Sequence, residues 1–195
     1  MRQASIYRKD SVVITTIEII SELGIQGLTS KEIAKREKIS EGTLFGHFKN
    51  MNEIILAVLN YHSELDTSII ETVEGKKLSP IESIKLFASI YSENYENYPE
   101  STSLVNIPDM FLQKDELARK ADEIVDKKTT YLKVLIEKAQ KSGYIDPLVD
   151  SELLTDLMVG YFRVTVQKWR KSKYEFRFKQ QVIKDLETFL DAFIK

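Results

Sequence analysis

Apolar residues recur along this chain at intervals of three and four, the spacing of one helical face, without the strict alternation of a half-buried strand. Val12, Val13, Thr16, Ile17, Ile19 and Ile20 mark a first helix, and Gly24 can stop it as a left-handed cap. Thr29 and Glu32 have the separation of a capping box, in which hydroxyl and carboxylate satisfy the unpaired amides of a helix start. The short helix they open turns Ile33 and Ala34 inward. Glu37-Lys38-Ile39 forms a turn, and Ser40 caps a second short helix, Glu41 to Phe48, with Leu44 and Phe48 on its buried side.

Asn50 caps a long helix from Met51 to about Glu74, apolar at Ile54, Ile55, Val58, Leu59, Leu65 and Ile69. Gly75-Lys76-Lys77 breaks the pattern. Ser79-Pro80 restarts it, a cap followed by proline at the first helical position, and Ile84, Phe87, Ala88, Tyr91 and Tyr95 share one face of the new helix. Pro99 and Pro108 fragment the next stretch. A long amphipathic helix is predicted from Asp115 to Lys141, then a connector from Gly143 to Pro147, then helices over 151–172 and 176–194. The fold class is all-α: a three-helix head over 1–50 and a larger helical body over 51–195.

Composition narrows the function. With 43% hydrophobic residues the chain can bury a core, and seven Gly and four Pro are few for a β-sandwich or α/β fold. Without cysteine there is no disulfide, thiolate nucleophile or cysteine metal site. The N-terminus has no secretory h-region and no apolar run reaches membrane-spanning length, so a cytoplasmic protein without membrane partners is expected. The net charge of −2 argues against a nucleic-acid binder, but its distribution does not. Residues 1–50 hold eight basic and six acidic side chains, a net +2, which leaves −4 for the rest.

Two short helices around a tight turn, behind a longer supporting helix, describe a helix-turn-helix. The two short helices cross closely, so the first needs a small residue, and Ala34 supplies it. Four positions on, at Lys38, the turn needs a compact and often left-handed residue. Ten positions after the alanine, Leu44 locks the second helix to the core and leaves its outer face for the major groove.

The stretch from Leu28-Thr29-Ser30 through Ile33-Ala34, Ile39-Ser40-Glu41-Gly42-Thr43-Leu44-Phe45 and His47-Phe48 to Ile54-Ile55 resembles the TetR family of transcriptional regulators. The likeness covers about the first 60 residues closely. It implies a DNA-binding head and a body that dimerises and takes a small ligand. Glu41, Gly42 and Thr43 then lie at the start of the recognition helix as base readers. Thr29, Ser40, His47 and Lys49 suit phosphates, as does a basic entry of Arg8 and Lys9, and Ser30 and Phe45 complete the DNA-contacting set. The chain departs from the family pattern at Lys38 (usually Gly), Phe45 (usually Tyr) and Met51 (often Lys). Each change weakens a generic backbone contact, and none is expected to touch the scaffold.

In the body, the penultimate helix carries Leu153, Leu154, Leu157, Met158, Tyr161, Phe162, Thr165 and Trp169, with Gly160 permitting close approach. The last carries Val182, Ile183, Leu186, Phe189, Leu190, Phe193 and Ile194. Both look apolar on more than one face, which points to a two-fold four-helix bundle and a homodimer. Phe87, Tyr91, Tyr95, Leu104, Phe111, Tyr131, Leu135, Phe162 and Trp169 are the candidate lining of a pocket for a mainly apolar effector. The expected partners are therefore a near-palindromic double-stranded DNA operator, a small-molecule effector and a second copy of the chain, with a repressor that lets go of its operator on binding the effector. No cofactor or metal is expected.

An enzyme is disfavoured, because no hydrolase elbow, Walker loop, dinucleotide fingerprint or zinc-protease motif is present. His62, Glu64 and Asp66 read as a solvated helix surface rather than a metal site. The alternative is a helical interaction module of the same fold that has lost DNA binding.

Overall fold

In the computed structural model the chain is all helical, with no β-strand among the described residues, 2–106 and 115–193; side chains are described for 9–105 and 116–193. The helices are α1 (Arg2–Leu23), α2 (Ser30–Arg36), α3 (Glu41–Phe45), α4 (Met51–Gly75), α5 (Pro80–Asn97), α6 (Asp115–Lys141), α7 (Ser151–Lys171) and α8 (Phe178–Asp191). Short 3-10 stretches lie at Ile25–Gly27 and Pro99–Asn106. None of the described helices is long and apolar enough to cross a membrane. The chain divides into two compact units, Met1–Leu65 with Glu100–Val125, and Asp66–Pro99 with Asp126–Lys195.

In the first unit, Gly24 ends α1 at φ 71°, a backbone conformation that costs an L side chain about 1 kcal/mol. Its N–H donates to the Ile20 carbonyl at 3.0 Å. Val12 and Ile19 of α1, Ile33 of α2, Leu44 of α3, Phe48 and Ile54 form the core, flanked by Leu28, Ile39, Met51 and Ala57. Two sequence expectations change here. Thr29 caps α2 by accepting from the Glu32 N–H at 3.1 Å, but the Glu32 carboxylate accepts instead from Arg36 Nε at 2.9 Å, so the box is half formed. The helix expected to reach Phe48 ends at Phe45; the chain turns through Gly46 and His47, and Phe48 is buried from beyond the helix end.

In the second unit Ser79 opens α5 with a complete capping box: its hydroxyl accepts from the Glu82 N–H at 3.3 Å, and the Glu82 carboxylate accepts from the Ser79 N–H at 3.0 Å. The core joins Ile81 and Ile84 of α5, Leu132, Leu135 and Ile136 of α6, Leu154 and Met158 of α7, and Leu186 and Leu190 of α8. Glu96 of α5 accepts from the Lys179 N–H at 3.0 Å, and Glu93 pairs with the Lys179 ammonium at 2.6 Å, which fastens the start of α8 to the end of α5.

The two last helices differ from expectation in one respect. On α8, Val182, Leu186 and Leu190 are buried, and Phe189 and Phe193 pack against this unit's own core. Its outward positions, Gln181, Lys184, Glu187, Thr188 and Asp191, are polar. The surplus apolar surface lies on α7, where Leu153, Leu157, Tyr161 and Val164 are 56, 47, 36 and 48% exposed in one stripe. Gly160 lies beside that stripe with open space above it. Ile194 lies outside the described residues.

Candidate DNA-reading head and effector site

The head is built so that the start of α3 faces solvent. The turn from α2 to α3 passes through Lys38 at φ 54°, the left-handed position anticipated from the sequence. The Ile39 N–H reaches back to the Ala34 carbonyl at 3.0 Å, and Ala34 is buried. Glu37 fixes this turn to α1 by accepting from Ser11 at 2.8 Å and from Thr15 at 2.5 Å. Arg36 ties α2 to the end of α1 through Glu22 at 2.7 Å, and that hydrogen bond holds the Glu22 carboxyl below the usual carboxylate range. These two anchors were not singled out in the sequence, because their partners are separated by 14 to 26 positions.

On this frame Thr29, Ser40, Glu41, Gly42, Thr43, Phe45 and Lys49 are exposed, and Ser30 and His47 are half-buried. Ser30 Oγ donates to Glu41 Oε2 at 2.5 Å, which brings the starts of α2 and α3 together. Ser40 caps α3 by accepting from the Thr43 N–H at 3.0 Å, and the Ser40 and Thr43 hydroxyls share a further bond at 2.9 Å. Asn50 caps α4 by accepting from the Glu53 N–H at 3.0 Å, with the Glu53 carboxylate on the Lys49 N–H at 2.5 Å. The Lys9 ammonium lies over the Phe48 ring, 5.1 Å from its centre. The Arg8 side chain lies outside the described residues. Met51 corrects the expectation that the departures spare the scaffold: it is half-buried against the head core.

The candidate effector residues of the second unit are mostly packed against each other. Phe87 meets Tyr91 at 4.9 Å and Tyr131 at 5.3 Å between ring centres. Tyr95 and half-buried Phe162 surround Phe178, on which Trp169 stacks at 4.9 Å. Leu135 belongs to the aliphatic core. Leu104 is buried in the first unit, and Phe111 lies outside the described residues. Trp169 also borders an open groove of about 970 Å³ with a mixed lining, Glu96, Lys179, Lys184 and Glu187 standing beside Tyr174, Phe176 and Ile183.

The reading of His62, Glu64 and Asp66 as solvated surface is overturned for two of the three. His62 and Asp66 are buried at 2% and 0% exposure, and only Glu64 is exposed. They stand four apart, so they share a helix face, and with Leu59, Ile69 and Val73 they continue one buried stripe of α4. Polar residues at stripe positions were the signal available in the sequence. Among the described residues no group of three or more such side chains could hold a metal.

Residues 14–58 match the family described as bacterial regulatory proteins, tetR family. Over these residues the chain is similar to the TetR family. The HTH-type transcriptional regulator YvkB of Bacillus subtilis is 34% identical over 64 residues, which is 33% of this chain and 34% of YvkB. The fatty acid metabolism regulator protein of Bacillus subtilis is 22% identical over 160 residues, 81% of each chain. The structure of FadR from Bacillus subtilis in complex with stearoyl-CoA has the same fold, with a TM-score of 0.71, 22% identity, and coverage of 91% of this chain and 96% of that one. The matched family and YvkB are both described as regulatory proteins.

Proposed function

We propose that this chain is a repressor that binds a near-palindromic operator as a homodimer through a head over 1–50. In this reading it releases that operator when a small, mainly apolar molecule enters the body over 51–195. The observation that carries the DNA-binding half is the exposed start of α3 on a fully packed three-helix frame, with Glu41, Gly42 and Thr43 outermost. Polar side chains there can reach base edges, while Thr29, Ser40, His47 and Lys49 hold phosphates around them. The complex of FadR with stearoyl-CoA supports a ligand role for the body. Binding of the chain to DNA from upstream of its own coding region, compared with scrambled DNA at two salt concentrations, tests the reading. A preference for the upstream DNA is expected; equal, weak binding to both would favour an interaction module without an operator.

The exposed stripe on α7 supports the homodimer. Leu157→Glu should halve the mass measured by light scattering and leave the helical circular dichroism intact, since Leu157 is half exposed. Leu186→Glu should instead unfold the chain, because Leu186 lies in its own unit's core. Dimers that persist in Leu157→Glu would remove α7 from the interface.

Met51→Lys places an ammonium at the start of α4. The lysine stem can cover the surface Met51 covers, while its charge reaches solvent. The expected result is tighter binding to every DNA sequence and a salt dependence steeper by about one unit. An unchanged salt slope would place this position away from the phosphates.

A further inference from the structure

The open groove of about 970 Å³ lies wholly within the second unit, between the end of α5, the α7–α8 bend and the outer face of α8. Two consecutive non-glycine residues, Lys173 and Tyr174, make that bend in the left-handed region, at φ 53° and 66°. The bend sets the Tyr174 ring 4.7 Å from Trp169 and the Phe176 carbonyl on the indole N–H. Trp169 itself is buried and supports the wall from behind. The apolar surface open to the groove comes from Tyr174, which is 38% exposed, and from half-buried Phe176 and Ile183.

Charge around the groove is one-sided. Residues 168–184 hold seven basic side chains and one acidic one, in a body that carries −4. The cations in the last turn of α7 need no ligand, because the carbonyl end of a helix favours positive charge. Along the walls, Lys179 is matched by Glu93 and Glu187 by Lys85, while Glu96 accepts from the Lys179 N–H. Arg177 and Lys184 make no ion pair among the described residues, and Glu175 is the one wall acid left unengaged there. The two cations stand seven positions apart, so they share the groove face of α8. An anion therefore fits, and a guanidinium grips a carboxylate through two parallel bonds. The open side selects the rest of the molecule: a long flexible tail would stay largely in water, whereas a flat ring can lie on the exposed aromatic wall. Resting on the effector-responsive reading above, we propose that this groove is the effector site, and that the effector is a small aromatic carboxylate, its ring against Tyr174 and Phe176 and its carboxylate on Arg177 with Lys184 close by.

Calorimetric titration of the full chain with 2-naphthoate, 2-naphthamide, 2-naphthylmethylammonium and decanoate tests this. The first three share a ring and differ in charge, and the fourth keeps the charge without the ring. Wild type should bind naphthoate roughly tenfold or more tightly than the amide or the cation, the usual margin of a hydrogen bond to a charged group. Decanoate should bind more weakly than naphthoate. Arg177 contributes no side-chain cap to α8, so Arg177→Gln should keep the helical circular dichroism and lose roughly tenfold in naphthoate affinity, with naphthamide unchanged. Lys184→Gln should lose about threefold, since it removes charge without the paired bonds. Lys171→Gln removes an exposed cation outside the groove walls and should leave naphthoate within about twofold, because solvent and salt screen distant exposed charges. The site is overturned if wild type binds no naphthoate or prefers the amide or the cation, or if Lys171→Gln costs as much as Arg177→Gln, which would make the attraction a diffuse field. Decanoate binding as tight as naphthoate would overturn the aromatic ligand. No DNA enters these titrations, so a missing operator leaves them unaffected. Operator binding with and without naphthoate then separates the two readings: naphthoate that binds at Arg177 without loosening the operator would overturn the effector role, and release of the operator by a molecule that Arg177→Gln still answers to would overturn the groove alone.

Discussion

Phe178→Ala should lower the stability of the second unit by about 3–5 kcal/mol, the usual cost of deleting a fully buried aromatic ring. Phe178 is the first residue of α8 and is completely buried. Its ring meets Phe162 of α7 at 5.6 Å, Tyr95 of α5 at 6.3 Å and Trp169 at 4.9 Å, so one side chain holds three helices. The adjacent tie from Lys179 to Glu93 and Glu96 is partly exposed and cannot compensate, because such pairs contribute about 1 kcal/mol or less. Trp169 is the only tryptophan, and its indole N–H donates to the Phe176 carbonyl at 2.8 Å. Tryptophan fluorescence during urea unfolding therefore reports on this cluster directly. A lower midpoint and a red-shifted native spectrum are expected, with Phe178→Leu intermediate. A midpoint equal to wild type would mean that the aromatic cluster does not hold α8.

Phe178 also marks where sequence reading stopped. Its neighbours Tyr95 and Trp169 were singled out as pocket candidates, yet the ring that joins them was not, because periodicity gives a residue's face and not what meets it. Signals closed within a few residues were legible. Ser79, Pro80 and Glu82 gave the start of α5, and Ala34, Lys38 and Leu44 gave the two short helices and their left-handed turn. Local signals failed where a competing partner was stronger. Glu32 left its cap for Arg36, whose other partner, Glu22, lies on α1. Phe48 looked like a helical core position but is buried after the helix has ended. Leu157 and Leu186 looked alike in the pattern; one faces solvent and the other the core, and only the packing of α8 on α5 separates them. Asp66 interrupted an apolar stripe visibly, but Tyr91 and Lys128, the partners that make the interruption tolerable, come from other helices.

Reading of bases and holding of the backbone should separate at Thr43 and Lys49. Thr43 is exposed on the first turn of α3, and in the unbound head its hydroxyl rests on that of Ser40 at 2.9 Å. The cap does not need that hydroxyl, since Ser40 accepts from the Thr43 backbone N–H, so Thr43→Ala should leave the helix in place. What it removes is a methyl that can pack on thymine and a hydroxyl that can turn to a base edge. Loss of such a contact costs about 1–3 kcal/mol at the cognate site and little elsewhere, so the ratio of operator to random-DNA binding should fall roughly 5- to 150-fold. Thr43→Val keeps the methyl and divides the two contributions: a ratio close to wild type assigns the contact to thymine, and one close to Thr43→Ala assigns it to the hydroxyl. Lys49 is exposed beside the start of α4, and its backbone N–H is already engaged by Glu53, so Lys49→Ala removes only the ammonium. Binding to operator and random DNA should then weaken together, with a salt slope shallower by about one. Anisotropy titrations of the three variants on both DNAs, at two salt concentrations, give every quantity needed. A ratio unchanged in Thr43→Ala would take base reading away from the start of α3, and a ratio that falls in Lys49→Ala would give that lysine a base instead of a phosphate.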